Sequence, residues 1–396
     1  MGDSPAISDP LAALEAARTN FDQGEDFTIG VEEEFAILSP ADLELAPYFE
    51  DFRRRSSGGP LDGSLAGELI RSEVEVRTGR CETFAEAAEV MARRRVDLLA
   101  VADQVGARLS AAGTHPFSRW QDQQVIDTPH YHLVESTLRY VAWRNNTFGI
   151  HVHTGVRGAD RAMCVTSALR SVLPELLALS ASSPWLEDRY THLRSTRTQI
   201  FTRFFPRCGI PDAIWSWAEY HDYVRFLIAT GSIREHTEIW WSVRPHQSFP
   251  TVELRICDAQ PEFADAVALA GFMVALTAAF TRAYDEGRPL PDHPNRLLEE
   301  NMWRAIRWGM DGELIDLAEG RAVPARARID ALLAEVGQVA RELGIDGHLR
   351  PLEGQTAGQR YVAELEAGAT PRELWPGVVE RTHESAAEWL AVRGAG

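Results

Sequence analysis

Lysine is absent from this 396-residue chain, and all 40 basic residues are arginine. That excludes a P-loop lysine, a Schiff-base lysine and a carboxylated lysine bridging metals. Any phosphate must be held by arginine, metal or backbone. Cysteine is scarce: Cys81, Cys164, Cys208 and Cys257 are scattered, with no CxxC pair. This excludes a disulfide framework and a cysteine-held structural zinc, and points to a reduced, cytoplasmic setting. Positive charge is in deficit, and a net charge of −18 argues against nucleic acid or an anionic membrane as partner. No basic segment followed by an apolar one opens the chain, so no secretory signal is read. The most apolar stretch, Ala266–Phe280, is too short to span a bilayer.

What is present is a repeated pattern. Gly30-Val-Glu-Glu-Glu-Phe35, Ser72-Glu-Val-Glu-Val-Arg77, Gly149-Ile-His-Val-His153 and Thr251-Val-Glu-Leu-Arg-Ile256 each set acids, imidazoles or arginines two residues apart in apolar company. Residues i and i+2 of a strand share a face. Glu32/Glu34, Glu73/Glu75/Arg77, His151/His153 and Glu253/Arg255 therefore form polar rows, backed by Val74, Val76, Ile150, Val152, Val252 and Leu254. One such row is most simply a solvated face. Four of them crowd carboxylates that repel unless a cation sits among them. Oxygen donors with an occasional imidazole suit Mg²⁺ or Mn²⁺.

Along the chain, residues 1–26 read as a weakly ordered tail holding at most one short helix, and 27–396 as one domain. Phe27–Leu38 is a strand, Leu43–Leu45 a returning strand and Leu69–Thr78 a further strand. Thr83 and Glu86 have capping-box spacing and open a helix running to about Leu109. Ala159–Ser183 is helical and interrupted at Pro174, and Arg189–Pro211 is irregular. Ile239–Val243 and Thr251–Ile256 are the last strands, joined as a hairpin. Pro261 opens a helix ending near Gly287, and helices at about 296–319, 325–343 and 372–392 complete the chain. Strands first and helices after give an α+β fold: a mainly antiparallel sheet with helices on one face and the active site on the other.

Arginine-rich segments beside a carboxylate-lined face suggest phosphate chemistry, with ATP held by metal and arginine. The glutamine synthetase-like fold is such an architecture. The runs Gly30–Phe35, Gly113-Thr-His-Pro116, Phe148–Thr154, Arg244-Pro245 and Thr251–Asp258, in this order, resemble the bacterial carboxylate–amine ligases of the glutamate–cysteine ligase type 2 family. The resemblance runs from about residue 27 to 390. It implies ATP and Mg²⁺, activation of a carboxylate as an acyl phosphate, and attack by an amine; the reference pair is glutamate and cysteine. It places Glu32, Glu34, Glu75, His151 and Glu253 as metal ligands, with Glu68 a weaker candidate. Arg255 and Arg244 fall at phosphate-contacting, catalytic positions, and Arg197 is expected to help hold nucleotide or carboxylate, with Arg194 and Arg203 candidates for the carboxylate substrate. Glu73 stands between a supporting role and a solvated face, and His153 between supporting and ligand roles. Self-association is left open. The alternatives are an amidohydrolase-type metal hydrolase, which would want its H-x-H earlier and alternating β/α units, and a non-catalytic regulator retaining the fold, which would be expected to lose metal carboxylates.

Overall fold

The period-two runs become neighbours in one seven-stranded sheet. In the computed structural model, which describes residues 10–394, its strands are β1 (Ile29–Leu38), β2 (Leu65–Ala66), β3 (Glu73–Arg77), β4 (Arg108–Ser110), β5 (Ile150–Gly155), β6 (Val243–His246) and β7 (Thr251–Leu254). Their order is β6-β7-β5-β1-β3-β2, with β4 paired to the end of β1, and every pairing is antiparallel. The central strand β1 sets the register: Glu32 lies opposite His151 on β5 and Arg77 on β3, and Glu34 opposite Glu75. On the other side His153 lies opposite Glu253, and Glu253 opposite Arg244. All the polar rows thus meet on one face.

The other face is apolar. Val31, Ile150, Val152, Val252 and Leu254 join a core built with the helix Phe263–Asp285, while Phe35, Val74 and Val76 pack with residues of Phe84–Val105 and Pro371–Gly394. Helices cover one face and leave the polar one to function, as the α+β pattern implies. Phe84–Val105 begins where Thr83 accepts the amide of Glu86, while the Glu86 carboxylate takes the amide of Glu82. It stops at Val105, short of Leu109, because Gly106 adopts φ 76°, a left-handed cap that closes the last turn. The interruption at Pro174 appears as a 3₁₀ turn, Arg170–Val172, between helices Ala159–Leu169 and Leu173–Ser180.

Several expectations change. Residues 1–9 lie outside the described residues, but the rest of the expected tail contains helix Pro10–Gln23, whose Leu14, Ala17 and Phe21 are fully buried in the core. The irregular Arg189–Pro211 contains helix Thr196–Phe204, capped by Ser195. The expected strand Leu43–Leu45 is reduced to one bridge, Leu38 to Leu45. The helix beginning at Asn295 ends at Trp308, and Glu313–Asp316 with Arg321–Pro324 forms a separate hairpin, so strands do not end by residue 256. Phe263–Asp285 is longer than the apolar run suggested, and by length and composition it could cross a bilayer. Its apolar window is, however, 83% buried inside the protein.

Candidate active site

The polar face carries two imidazoles between three carboxylates. His151 Nδ1 is 3.3 Å from Glu32 and its Nε2 is 3.5 Å from Glu34. His153 Nε2 is 3.6 Å from Glu32 and 3.8 Å from Glu253. Strand pleating fixes this interleaving, because β1, β5 and β7 present these residues in adjacent register. Burial would raise the Glu32 carboxyl, but the imidazoles of His153 and His151 outweigh it and hold Glu32 well below the usual range. His153, which burial alone would push down, is raised by Glu253 and Glu32.

Glu253 is fully buried and caged by cations. Arg244 grips it with Nε at 2.7 Å and Nη2 at 3.4 Å, and Arg255 bonds it through Nη1. Burial works against the charged form, yet Arg244, Arg255 and His153 hold its carboxyl well below normal. Arg244 has little left to offer, since its Nη1 donates to the carbonyl of Ile239 at 2.6 Å. Arg255 commits only Nη1 to this cage and keeps the rest of its fork.

The opposite end of the face is acidic. Glu34, Glu68 and Glu75 converge, with Glu73 beside them. Burial, then Glu75 and Glu34, pushes the Glu68 carboxyl well above its usual value. Glu73 is raised likewise by burial and by Glu34, Glu68 and Glu75. Its Oε2 is buried without a hydrogen-bond partner. Arg77 relieves part of this charge, bonding Glu75 at 2.5 Å and lying 3.6 Å from Glu32.

These side chains fit a divalent cation. Three sets of donor atoms lie within 4.8 Å of one another: Glu32, Glu75 and His151; Glu32, His153 and Glu253; and Glu34, Glu68 and Glu75. Glu32 and Glu75 each belong to two sets, so the sets adjoin. Oxygen donors with one imidazole match hard ions such as Mg²⁺ or Mn²⁺, and an orphaned buried carboxylate oxygen on Glu73 is what a missing positive charge leaves behind.

All five sequence-picked ligands, Glu32, Glu34, Glu75, His151 and Glu253, are brought together, and His153 and Glu68 join them. Arg197 is placed differently. It is 4% exposed, and its guanidinium donates to the carbonyls of Ile256 at 3.1 Å and Arg255 at 3.3 Å, with Asp258 at 3.8 Å. It braces the chain after β7 instead of lining the donor sets. Asp258 is itself fully buried, accepting from the amide of Ser182 and the hydroxyls of Ser183 and Ser195. Arg194 and Arg203 are spent on Asp311 and Glu299, acids outside the sheet. His115 of the Gly113–Pro116 run is structural: its Nδ1 accepts the amides of Phe117 and Ser118, its Nε2 meets the Leu43 carbonyl, and burial pushes it down to about 3. Cys257 turns into the core beside Leu176 and Met273, because β7 has ended at Leu254 and the alternation no longer applies. Sequence reasoning overlooked His246, although it continues the i, i+2 row from Arg244 along β6.

The family model described as glutamate–cysteine ligase family 2 matches residues 28–382. A protein of Sorangium cellulosum provisionally named glutamate–cysteine ligase 2 is 39% identical, over 85% of this chain and 91% of its own length. A similarly named protein of Rubrobacter xylanophilus is 39% identical, over 84% of this chain and 89% of its own. Among solved structures, the glutamate–cysteine ligase of Francisella tularensis, crystallised with AMP, superimposes with a TM-score of 0.62 at 12% identity, over 92% of this chain and 90% of its own. The bifunctional glutathione synthetase of Pasteurella multocida gives 0.64 at 15% identity, over 95% of this chain and 54% of its own. At these identities the structural likeness speaks for the fold.

Proposed function

Because the chain belongs to glutamate–cysteine ligase family 2, a family of ATP-dependent carboxylate–amine ligases, we propose that it activates a small carboxylate, glutamate in the first instance, as an acyl phosphate and joins it to an amine such as cysteine. The observation that carries this reading is the run of adjoining donor sets sharing Glu32 and Glu75, flanked by arginines in a chain without lysine. Glu32, Glu34, Glu75, His151 and Glu253 would hold Mg²⁺ or Mn²⁺, with Glu68 and His153 completing the sets. Bound there, such ions neutralise and align the phosphates of ATP.

The chain's own groups divide the remaining work. Arg244 orients Glu253 and keeps it ionised. Arg255 has donors to spare on the same face and offers them to charge developing on the transferring phosphoryl group. Arg77 pairs with Glu75 and lies beside Glu32, and so orients both as ligands. Buried carboxylates and a sheet floor exclude water, which protects an acyl phosphate from hydrolysis before the amine arrives. The chain, with helix Pro10–Gln23 packed into its core, is read as one catalytic domain working in the cytoplasm, with no nucleic acid or membrane as partner.

The test is phosphate release from ATP with Mg²⁺ across a matrix of amino acids and amines, with mass analysis of products. ADP and phosphate should appear together with an amide whose mass is the sum of acid and amine less water. AMP as the nucleotide product, or full activity in excess chelator, would refute the acyl-phosphate reading.

A further inference from the structure

A cleft of about 420 Å³, within the size range of small-molecule sites, lies apart from the donor sets. None of its lining residues belongs to one of them. Local structure fixes its walls. The amides of Phe117 and Ser118 donate to His115 Nδ1 at 3.2 and 2.9 Å, which anchors the backbone just before Arg119. A 3₁₀ turn, Trp120–Asp122, follows. A further wall is the short hairpin of Trp185–Leu186 with Arg189–Tyr190, whose turn residues Glu187 and Asp188 have φ of 48° and 64°. Positive φ at both central positions marks a tight two-residue turn, and the amide of Asp188 ties it to the carbonyl of Pro116 at 2.8 Å.

Much of the charge on these walls is already matched. Arg372 lies 4.0 Å over the ring of Phe117, bonds Asp188 at 2.7 Å and has Glu44 at 3.6 Å. Glu187 faces Arg144 at 3.5 Å, and that guanidinium rests against the rings of Trp120 and Phe204. Three lining side chains have no hydrogen bond or ion pair among the described residues: Arg119, Arg189 and Asp122, all exposed. Two unpaired cations and one unpaired anion are the mirror image of a ligand with two carboxylates and one ammonium. The Arg372 group, two carboxylates on one guanidinium, adds to the attraction for the ammonium. A chain of net charge −18 repels a dianion as a whole, so a place presenting two free guanidiniums is selective for one.

We propose that this cleft binds an amino dicarboxylate apart from the reaction face, Arg119 and Arg189 each taking a carboxylate and Asp122 the ammonium. Guanidinium–carboxylate pairs form two parallel bonds, which fix orientation as well as charge. In naming sources the proposal rests on the ligase reading above, which supplies two compounds of this pattern. Glutamate has it. So does the γ-linked dipeptide made when its side-chain carboxyl joins an amino acid: the α-carboxylate and α-ammonium of glutamate remain, and the amino acid brings a second carboxylate.

The test is calorimetric titration of the full chain with glutamate and with γ-glutamylglycine, in excess chelator and without ATP. The donor sets are then unloaded and their carboxylates repel a dicarboxylate, so binding reports the cleft. Arg119→Gln and Arg189→Gln are the variants; both side chains are exposed, and unchanged melting temperatures serve as the control for folding. Kd should rise about tenfold or more in each, the scale of losing one hydrogen bond to a charged group. Arg321→Gln, at an exposed arginine outside the cleft, should leave Kd unchanged. Asp122→Asn should weaken glutamate but not glutarate, which has both carboxylates and no ammonium. The tighter binder of glutamate and the dipeptide is the cleft's ligand. Binding of neither by the parent chain, an unchanged Kd in both arginine variants, equal weakening by Arg321→Gln, or equal weakening of glutarate and glutamate by Asp122→Asn overturns the site. These titrations involve no catalysis, so a parent chain that binds in the cleft yet forms no amide would overturn the ligase reading and leave the site standing.

Discussion

Glu73 and Glu253 are buried carboxylates on the same sheet face, 1% and 0% exposed, and glutamine at each should move stability in opposite directions. At Glu253 the change leaves Arg244 and Arg255 buried without their carboxylate. Removing one partner of a buried ion pair costs about 3–5 kcal/mol. With an unfolding entropy of roughly 2.1 cal/mol/K per residue over 396 residues, that lowers Tm by roughly 4–6 °C. At Glu73 the change removes one of four crowded acids and gives the orphaned oxygen position a donor. Relieving an unsatisfied buried polar group is worth about 1–3 kcal/mol, a rise of roughly 1–4 °C by the same conversion. The pH dependence separates the two further. The Glu73 carboxyl is raised in the folded state by burial and by Glu34, Glu68 and Glu75. Its cost is absent below the unfolded value and grows as pH climbs through the folded one, so the advantage of Glu73→Gln widens from acid toward neutral pH. Glu253 is depressed, its cations outweighing burial. Its contribution is complete above the unfolded value and fades as pH falls through the folded one, so the deficit of Glu253→Gln shrinks in strong acid. Calorimetric melting in excess chelator reads both. Saturating Mg²⁺ should then erase the advantage of Glu73→Gln, because the ion supplies the charge the cluster lacks. Shifts of the same sign in chelator would refute the picture of one caged and one crowded carboxylate.

Arg255→Lys keeps the charge but loses the planar fork, and kcat should fall about 10²-fold or more, with a smaller change in ATP affinity; unchanged kcat with weaker ATP binding would make Arg255 a ground-state anchor. Glu33→Gln breaks a buried pair with Arg95 on the apolar face and should cost about 3–5 kcal/mol of stability while leaving kcat and KM per folded molecule unchanged; altered kinetics would mean that the two faces communicate. Arg197→Met removes the donors to the carbonyls of Arg255 and Ile256, and should lower kcat more than ATP affinity; a purely ATP-binding defect would return Arg197 to the nucleotide.

The sheet was legible because each strand carries its own signal. Alternation marks β1, β3, β5 and β7 without reference to the rest of the chain, and the cap at Thr83 marks its helix in the same local way. Helix Pro10–Gln23 had a signal too, an apolar stripe at Leu14, Ala17 and Phe21, but the surface that buries it is distant in sequence and includes Trp217, whose ring sits 5.5 Å from that of Phe21. Helix Thr196–Phe204 is rich in β-branched and aromatic residues, Thr196, Thr198, Ile200, Phe201, Thr202 and Phe204, with weak intrinsic preference for helix. It is fixed by the Ser195 cap and the buried knot at Asp258, which come together only when residues 63 apart in sequence meet.

The arginines show the same division at the site. A carboxylate on a strand is aimed by its pleat, so Glu32 and Glu34 could be assigned a face from two letters of sequence. An arginine's role depends on which acid or carbonyl reaches its long side chain, and those partners are distant: Asp311 for Arg194, Glu299 for Arg203, the carbonyls of Arg255 and Ile256 for Arg197. The run Glu32-Glu33-Glu34 holds both cases at once. Its outer two residues follow the pleat to the polar face. Glu33 must point the other way, into the core, and is tolerated there because Arg95 arrives from the helix Phe84–Val105, donates to it, and anchors itself on the carbonyls of Gln260 and Pro261, each at 3.0 Å. Alternation told where Glu33 would point. Only the fold could tell what would meet it.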